Sequence, residues 1–318
     1  MNKPEFVMLV GLPGSGKSTY AQTLTGTHNI HSSDSIRKEL FGDENENSKE
    51  CNEKVFNTLH ERVKQNLCDG KNVVYDATNL NRKRRIAFLK EIKNINCTKK
   101  CVMVATPFFL CQVNNKTRYR VVPQYVMDRM YRSFQPPYYN EGWDELDIII
   151  SEKEVWFRDY KIDVLYNRAS GIIRFNQNNK HHNLTLGAHS LNVASALMKK
   201  TGKESMFYAG LLHDVGKICT QSVLNKDGKC DGDCHYYNHS NVSAYESLFY
   251  ILNDYKPEDG EDIVNTALYV ASLIYFHMHP FNKQWNDTDS KIKRLKAQLG
   301  ENLYNDIMML HEEDKLAN

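Results

Sequence analysis

At 318 residues the chain exceeds the usual size of one compact domain, and its 41% hydrophobic content supplies apolar surface for two ordinary cores. Lysine and arginine total 41 against 39 for aspartate and glutamate, so a formal charge of +2 neither demands nor excludes a nucleic-acid partner. No apolar stretch approaches the length of a membrane span, and the run after the polar Met1–Glu5 is too brief for a signal segment. The expectation is a soluble, cytoplasmic protein with no membrane partner. Eight cysteines at irregular spacings fit reduced thiols better than a disulfide framework.

In chain order, Phe6 to Val10 is an apolar run feeding a glycine-rich turn, and Ser18 to Leu24 has helical character. Asn29 to His31 is a second short strand. A helix with Val55, Leu59, Val63 and Leu67 at four-residue spacing leads to a third strand, Val73 to Tyr75. A helix from about Arg82 to Ile95 and a strand from Cys101 to Ala105 follow, then a helix from Gln124 to Ser133 and a last apolar strand, Leu146 to Ile150. Strands alternating with helices predict an α/β domain, a parallel sheet covered on both faces, with ligands at the C-terminal strand ends. This domain is placed at residues 1–150. A connector of mixed signals spans 151–178, and residues 179–318 read as an all-α domain.

Gly11-Leu12-Pro13-Gly14-Ser15-Gly16-Lys17-Ser18 matches G-x-x-x-x-G-K-[ST] without departure, between a predicted strand and a predicted helix. In such a loop, main-chain N–H groups close around phosphates and the following helix N-terminus adds a favourable dipole. The expected ligand is ATP with Mg²⁺, held by Gly11, Pro13, Gly14, Ser15, Gly16 and Thr19. Lys17 would neutralise the β/γ-phosphates, and Ser18 would ligate the magnesium ion. Beyond the second strand stand Ser33, Asp34 and Arg37. Asp34 and Arg37 fall on one face of a first helical turn, as a proton acceptor with a phosphate grip or as an ordinary N-cap with an incidental ion pair. After the third strand come Asp76-Ala77-Thr78-Asn79-Leu80-Asn81-Arg82-Lys83-Arg84-Arg85, in which Asp76 can approach the magnesium ion and the basic run opens a helix. Arg118 and Arg120 lie ahead of Val122-Pro123, in a polar segment suited to a lid.

Together these residues, from about Glu5 to Ile150, resemble the polynucleotide 5′-hydroxyl kinase family, the kinase half of bacterial and bacteriophage end-healing enzymes. The resemblance implies that Asp34 is the general base on a 5′-OH and that Arg37 contacts the acceptor's phosphate. Asp76, Asn79, Arg84 and Arg85 would join it in substrate binding. A lid arginine, Arg118 or alternatively Arg120, would act with Lys17 on the transferring phosphoryl group.

In the second half, His189 opens a probable helix, and a later helix from Phe207 to about Val215 carries Leu211-Leu212-His213-Asp214, followed by Gly216-Lys217. Adjacent His213 and Asp214 stand about 100° apart around a helix, so one ion can meet both. His239, His277 and Asp314 follow, with His279 an alternative to His277. The order His, His-Asp, His, His, Asp is similar to the HD phosphohydrolase superfamily. That likeness implies a first metal on His189, His213, Asp214 and Asp314, and suggests a second on His239 and His277. Mixed nitrogen and oxygen ligands admit one or two ions of Mn, Fe, Co, Ni, Zn or Mg. Lys217 and His182 are candidate substrate contacts, each with an ordinary structural alternative. Cys230, Cys234 and His235 invite a zinc reading, but they lack a second matching pair.

A kinase and a phosphohydrolase on one chain are expected to repair opposite ends of a broken RNA or DNA strand, with a ligase acting in the same pathway. The alternative is a small-molecule or nucleoside kinase fused to a nucleotide phosphohydrolase.

Overall fold

The computed structural model describes residues 3–42, 48–150, 161, 172–179, 183–256 and 262–317. Of the expected connector, residues 151–160 and 162–171 lie outside this set, as does His182. Two compact units emerge: Met1–Met130 with Pro137–Glu152, and Tyr131–Pro136 with Lys153–Asn318.

The first unit is an α/β layer structure. Its strands are β1 (Glu5–Val10), β2 (Asn29–Ser32), β3 (Val73–Asp76), β4 (Thr98–Ala105) and β5 (Glu145–Ile150). All are parallel, in the order β2-β3-β1-β4-β5. Phe6 to Val10 of the central strand are all buried, as a strand covered on both faces must be. Val7, Leu9, Ala21, Val74 and Val102 form one cluster of that core, with Ile30 and Ile149 packed against it.

The connecting helices are α1 (Lys17–Thr23), α2 (Ser33–Phe41), α3 (Lys49–Cys68), α4 (Arg82–Glu91), α5 (Phe108–Lys116) and α6 (Gln124–Tyr131). The four-residue apolar spacing of α3 buries Val55, Leu59, Val63 and Leu67. Helix α4 ends at Glu91, earlier than its charged sequence suggests. Helix α5 was not anticipated, because FFLCQVNNK carries no clean apolar period.

One α4 residue departs from its expected place at the substrate. The Arg85 side chain is fully buried and forks onto Glu141, with Nε donating to Oε2 at 2.7 Å and Nη2 to Oε1 at 2.5 Å. The Trp143 indole N–H donates to the same carboxylate at 3.2 Å. A buried pair of this geometry compensates the desolvation of both ions.

Helices α7 (Leu186–Thr201), α8 (Glu204–Leu212), α9 (Lys217–Thr220), α10 (His239–Asp254), α11 (Ile263–Phe276), α12 (Asp289–Leu299) and α13 (Glu301–Leu316) build the second unit. A two-residue antiparallel pair, β6 (Gln221–Ser222) with β7 (His235–Tyr236), interrupts the expected run of helices. Helix α8 stops at Leu212, so His213 caps it instead of lying within it. Gly210 sets the approach of α8 to α7, since a Cβ there would lie 2.8 Å from the main chain of Ala194.

Removing one partner of the buried ion pair strands a charge in the core, so Glu141→Ala should destabilise the first unit by about 3–5 kcal/mol. Urea unfolding followed by Trp143 fluorescence measures this. A change under about 1 kcal/mol would mean that water reaches Arg85.

Candidate phosphate-transfer site and candidate metal centre

The C-terminal ends of β1, β2 and β3 bring the first set of residues together. Ser32 of β2 pairs in register with Asp76 of β3, so Asp34, two residues on in the first turn of α2, stands beside Asp76. The loop from Gly11 to Gly16 joins β1 to α1 and is tied down from several sides. The Gly11 N–H donates to the Thr78 carbonyl at 3.1 Å, and the buried Thr106 hydroxyl donates to the Ser15 carbonyl at 2.8 Å. Asn114 of α5 donates to the Gly14 carbonyl at 3.0 Å. Gly14 has a φ of 78°, and a Cβ there would lie 2.4 Å from the Cys111 carbonyl oxygen.

Lys17 is buried, with its ammonium donating to the Leu12 carbonyl at 2.7 Å. Burial pushes its pKa down, and the nearby Asp76 carboxylate opposes that shift. The Ser18 hydroxyl donates to Asp76 Oδ2 at 2.8 Å. Burial also pushes the Asp76 carboxyl up, against Lys17 and the Ser18 hydrogen bond. Ser18 and Asp76 therefore stand together as the oxygen pair that fits a magnesium ion beside phosphates. Ser18 and Thr19 are both exposed in the first turn of α1.

Asp34 gathers three guanidinium groups. Arg118 donates to Oδ2 at 3.1 Å, Arg120 pairs with Oδ1, and Arg37 Nη1 lies 3.6 Å from Oδ1. The sequence left Arg118 and Arg120 as alternatives; both reach the same carboxylate. Arg37 is itself buried and donates to Asn52 Oδ1 at 2.5 Å. Buried Asn115 holds the segment carrying the two lid arginines. Its amide donates to the Val122 carbonyl at 2.8 Å, and its carbonyl accepts from the Val122 N–H at 3.0 Å. Neither Asn115 nor Thr106 was foreseen, since single polar residues in apolar surroundings leave no sequence signal.

Two expected substrate contacts take other positions. Arg85 is locked on Glu141, away from any surface a substrate could reach. Asn79, at φ 47°, donates its amide to the Leu9 carbonyl at 2.8 Å and so braces the end of β1. Arg84 is exposed on α4.

In the second unit, His189 on α7, His213 and Asp214 after α8, His239 at the start of α10, His277 after α11 and Asp314 on α13 converge. Every imidazole turns its Nδ1 to a main-chain carbonyl: His213 to Gly210 at 2.7 Å, His239 to Tyr236 at 2.8 Å, His277 to Ile274 at 2.5 Å and His189 to Ala317 at 3.4 Å. Facing an acceptor, Nδ1 carries the hydrogen, which leaves the inward Nε2 as a lone pair.

The inward atoms then oppose one another. Nε2 of His189 and of His213 are 3.3 Å apart, and those of His239 and His277 are 3.4 Å apart. Asp214 Oδ1 lies 3.2 Å from His239 Nε2, and Asp314 Oδ1 lies 3.0 Å from His189 Nε2. Acceptors packed so closely repel unless a cation joins them. His189, His213 and Asp314 form one such group, and His213, Asp214 and His277 another, each within 4.8 Å. The donor set fits divalent metal. His277 supplies the inward nitrogen, whereas His279 packs against Tyr275, Phe276 and Trp285.

Lys217 is neither a surface lysine nor an open phosphate contact. Its buried ammonium sits 2.7 Å from Asp214 Oδ2 and donates to Gln177 Oε1 at 2.7 Å. Cys230 is exposed, and His235 pairs with Asp231 at 3.0 Å; among the described residues no metal grouping includes them.

In the metal-free chain a proton can serve as the joining cation. Burial disfavours a charged ring at His213, but Asp214 and Asp314 outweigh it and lift its pKa to about 10. Burial, reinforced by His213 and His239, pushes His277 down to about 3. Burial would raise the Asp214 carboxyl, yet Lys217 and His213 hold it well below its ordinary value. The His213 proton therefore stabilises the fold fully below the ordinary imidazole pKa, and that contribution is lost as pH climbs through about 10. A divalent ion must displace this proton, so its binding should release a proton at neutral pH and should tighten as pH rises toward about 10. Calorimetry with Mn²⁺ in buffers of different ionisation enthalpy reads the release directly; an enthalpy independent of buffer would overturn the assignment.

A family model described as an AAA domain matches residues 6–137, from β1 through α6. One described as an HDOD domain matches residues 163–251, which include His189, His213, Asp214 and His239 but stop before His277 and Asp314. No curated protein matches the chain. Among solved structures, a gluconokinase from Sinorhizobium meliloti is 13% identical with a TM-score of 0.35, covering 49% of this chain and 87% of its own. A sugar kinase from Janibacter is 14% identical with a TM-score of 0.35, covering 46% and 85%. A chain of the Pnkp1/Rnl/Hen1 RNA repair complex is 20% identical with a TM-score of 0.35, covering 42% of this chain and 44% of that one. The chain thus joins a P-loop, kinase-like domain on a five-stranded parallel sheet to a helical HDOD region.

Proposed function

We propose that the first unit transfers the γ-phosphoryl group of ATP to the 5′-hydroxyl end of a polynucleotide. The second unit hydrolyses a 3′-phosphate or 2′,3′-cyclic phosphate, so that one chain heals both ends of a break, in RNA above all. The observation that carries the first half is Asp34, a carboxylate beside Asp76 with three guanidinium groups around it. Guanidinium groups gathered in this way suit a site that receives phosphate from both sides, from the ATP tail and from an acceptor whose own backbone is a phosphodiester.

In that reaction the 5′-oxygen bonds to the γ-phosphorus as the bond to the β,γ-bridging oxygen breaks. ADP leaves, and the hydroxyl proton passes to Asp34. Lys17 and the lid arginines stabilise the equatorial oxygens, Arg37 grips the acceptor's phosphate, and Ser18 and Asp76 would hold a magnesium ion. In the second unit His189, His213, Asp214 and Asp314, with His239 and His277, would hold one or two divalent ions. Bound there, such an ion polarises a phosphoryl oxygen and lowers the pKa of its water. A ligase would take up the healed ends.

One observation favours a smaller acceptor: with Arg85 buried, the run from Arg82 to Arg85 is not a continuous track for a strand. Incubation with labelled ATP and 5′-OH oligonucleotides of RNA and DNA decides between the two. Label should enter the oligonucleotide, and Asp34→Asn should lower the rate by roughly a hundredfold or more, the range of a lost general base. A labelled nucleoside or sugar with no labelled oligonucleotide would sink the polynucleotide reading. With Mn²⁺ or Ni²⁺ and a 3′-phosphate end, His213→Ala should abolish phosphate release and leave the kinase intact. Unchanged release would sink the metal assignment.

A further inference from the structure

Tyr119 stands between the two arginines that reach Asp34, yet its own ring is 80% exposed. The ammonium of Lys38 lies over that ring, 5.3 Å from its centroid. Lys38 is four residues beyond Asp34 on α2, so the two side chains share a helix face. The ring is therefore on the acceptor side of the lid, over the helix that also carries Arg37.

Tyr119 thus presents a flat, exposed ring among the positive side chains of Lys38, Arg118 and Arg120. Flat rings flanked by positive side chains hold unpaired strands, because a base stacks on the ring while the cations follow the backbone. We propose that Tyr119 is the stacking platform for the terminal base of the acceptor strand, which places the sugar hydroxyl at Asp34. The inference rests on the polynucleotide reading of this site and deepens it: recognition of the end takes in its base as well as its phosphate. Stacking is tolerant of base identity, so the platform would accept all four bases.

A lid held down only by the Lys38–Tyr119 contact predicts different behaviour, and kinetics separate the two. Initial rates are measured with two 5′-OH oligonucleotides, one bearing its terminal base and one abasic at that nucleotide. Tyr119→Ala should raise KM for the base-bearing strand about tenfold, the scale of one base–aromatic stack, with kcat and KM for ATP changed less than about twofold. Tyr119→Phe, which keeps the ring, should behave as the parent. The parent should itself lose about tenfold on the abasic strand, and Tyr119→Ala should lose nothing more there. If Tyr119→Ala weakens both strands equally, the ring only positions the lid, and the proposal fails. A raised KM for ATP would assign the ring to adenine and also overturn it. Absence of any labelled oligonucleotide with the parent protein is a separate result: it sinks the polynucleotide reading, and this inference with it.

Discussion

Six buried or nearly buried side chains that all point acceptor atoms at one another cannot share a space without positive charge between them. In the second unit the four imidazoles are each fixed from behind by a main-chain carbonyl, so none can turn its hydrogen inward to relieve the conflict. The same constraint organises the first unit. Lys17 answers Asp76, the lid arginines answer Asp34, and Arg85 answers Glu141. Each unit gathers like groups tightly: guanidinium groups around Asp34 in the first, and acceptor atoms of imidazoles and carboxylates in the second.

Much of this was legible in the sequence because the controlling features are local. The loop from Gly11 to Ser18 declares itself by spacing, and five short apolar runs alternating with helices pointed to a parallel sheet with Asp34 and Asp76 just beyond strand ends; that those two strands are neighbours is seen only in the fold. The His213-Asp214 pair and its distant partners were likewise visible as residue types in order. What failed was the environment of long polar side chains. Arg85 sits in a run that looks solvated, and only the fold reveals that Glu141, 56 residues on, waits in the core. Lys217 read equally as a phosphate contact or as a surface lysine at a helix end, and it is sealed between Asp214 and Gln177. Partners so distant in sequence leave no periodicity. Helix α5 was missed for a related reason: its role is to support the phosphate loop through Asn114 and Cys111, which needs no amphipathic stripe.

The two halves also differ in how their chemistry is held. In the first, the residues gathered at the candidate site lie at strand ends and on the segment of Arg118 and Arg120, whose course is fixed by Asn115 clasping Val122. Such a segment can shift without disturbing the sheet. In the second, the donors lie on or just beyond helices packed against one another, as closely as Gly210 permits against Ala194. A metal centre needs fixed distances, and helix ends buried in a bundle supply them.

The pairing of His189 with Asp314 joins residues 125 positions apart, and His189 also turns its Nδ1 to the Ala317 carbonyl on that far side. An ion seated there would be a cross-link as much as a reagent, closing a loop across 125 positions and withdrawing that freedom from the unfolded chain. It also sets an order of assembly. During synthesis the phosphate loop and its sheet are finished long before residue 314 exists, so the first unit can be complete while the second still lacks Asp314.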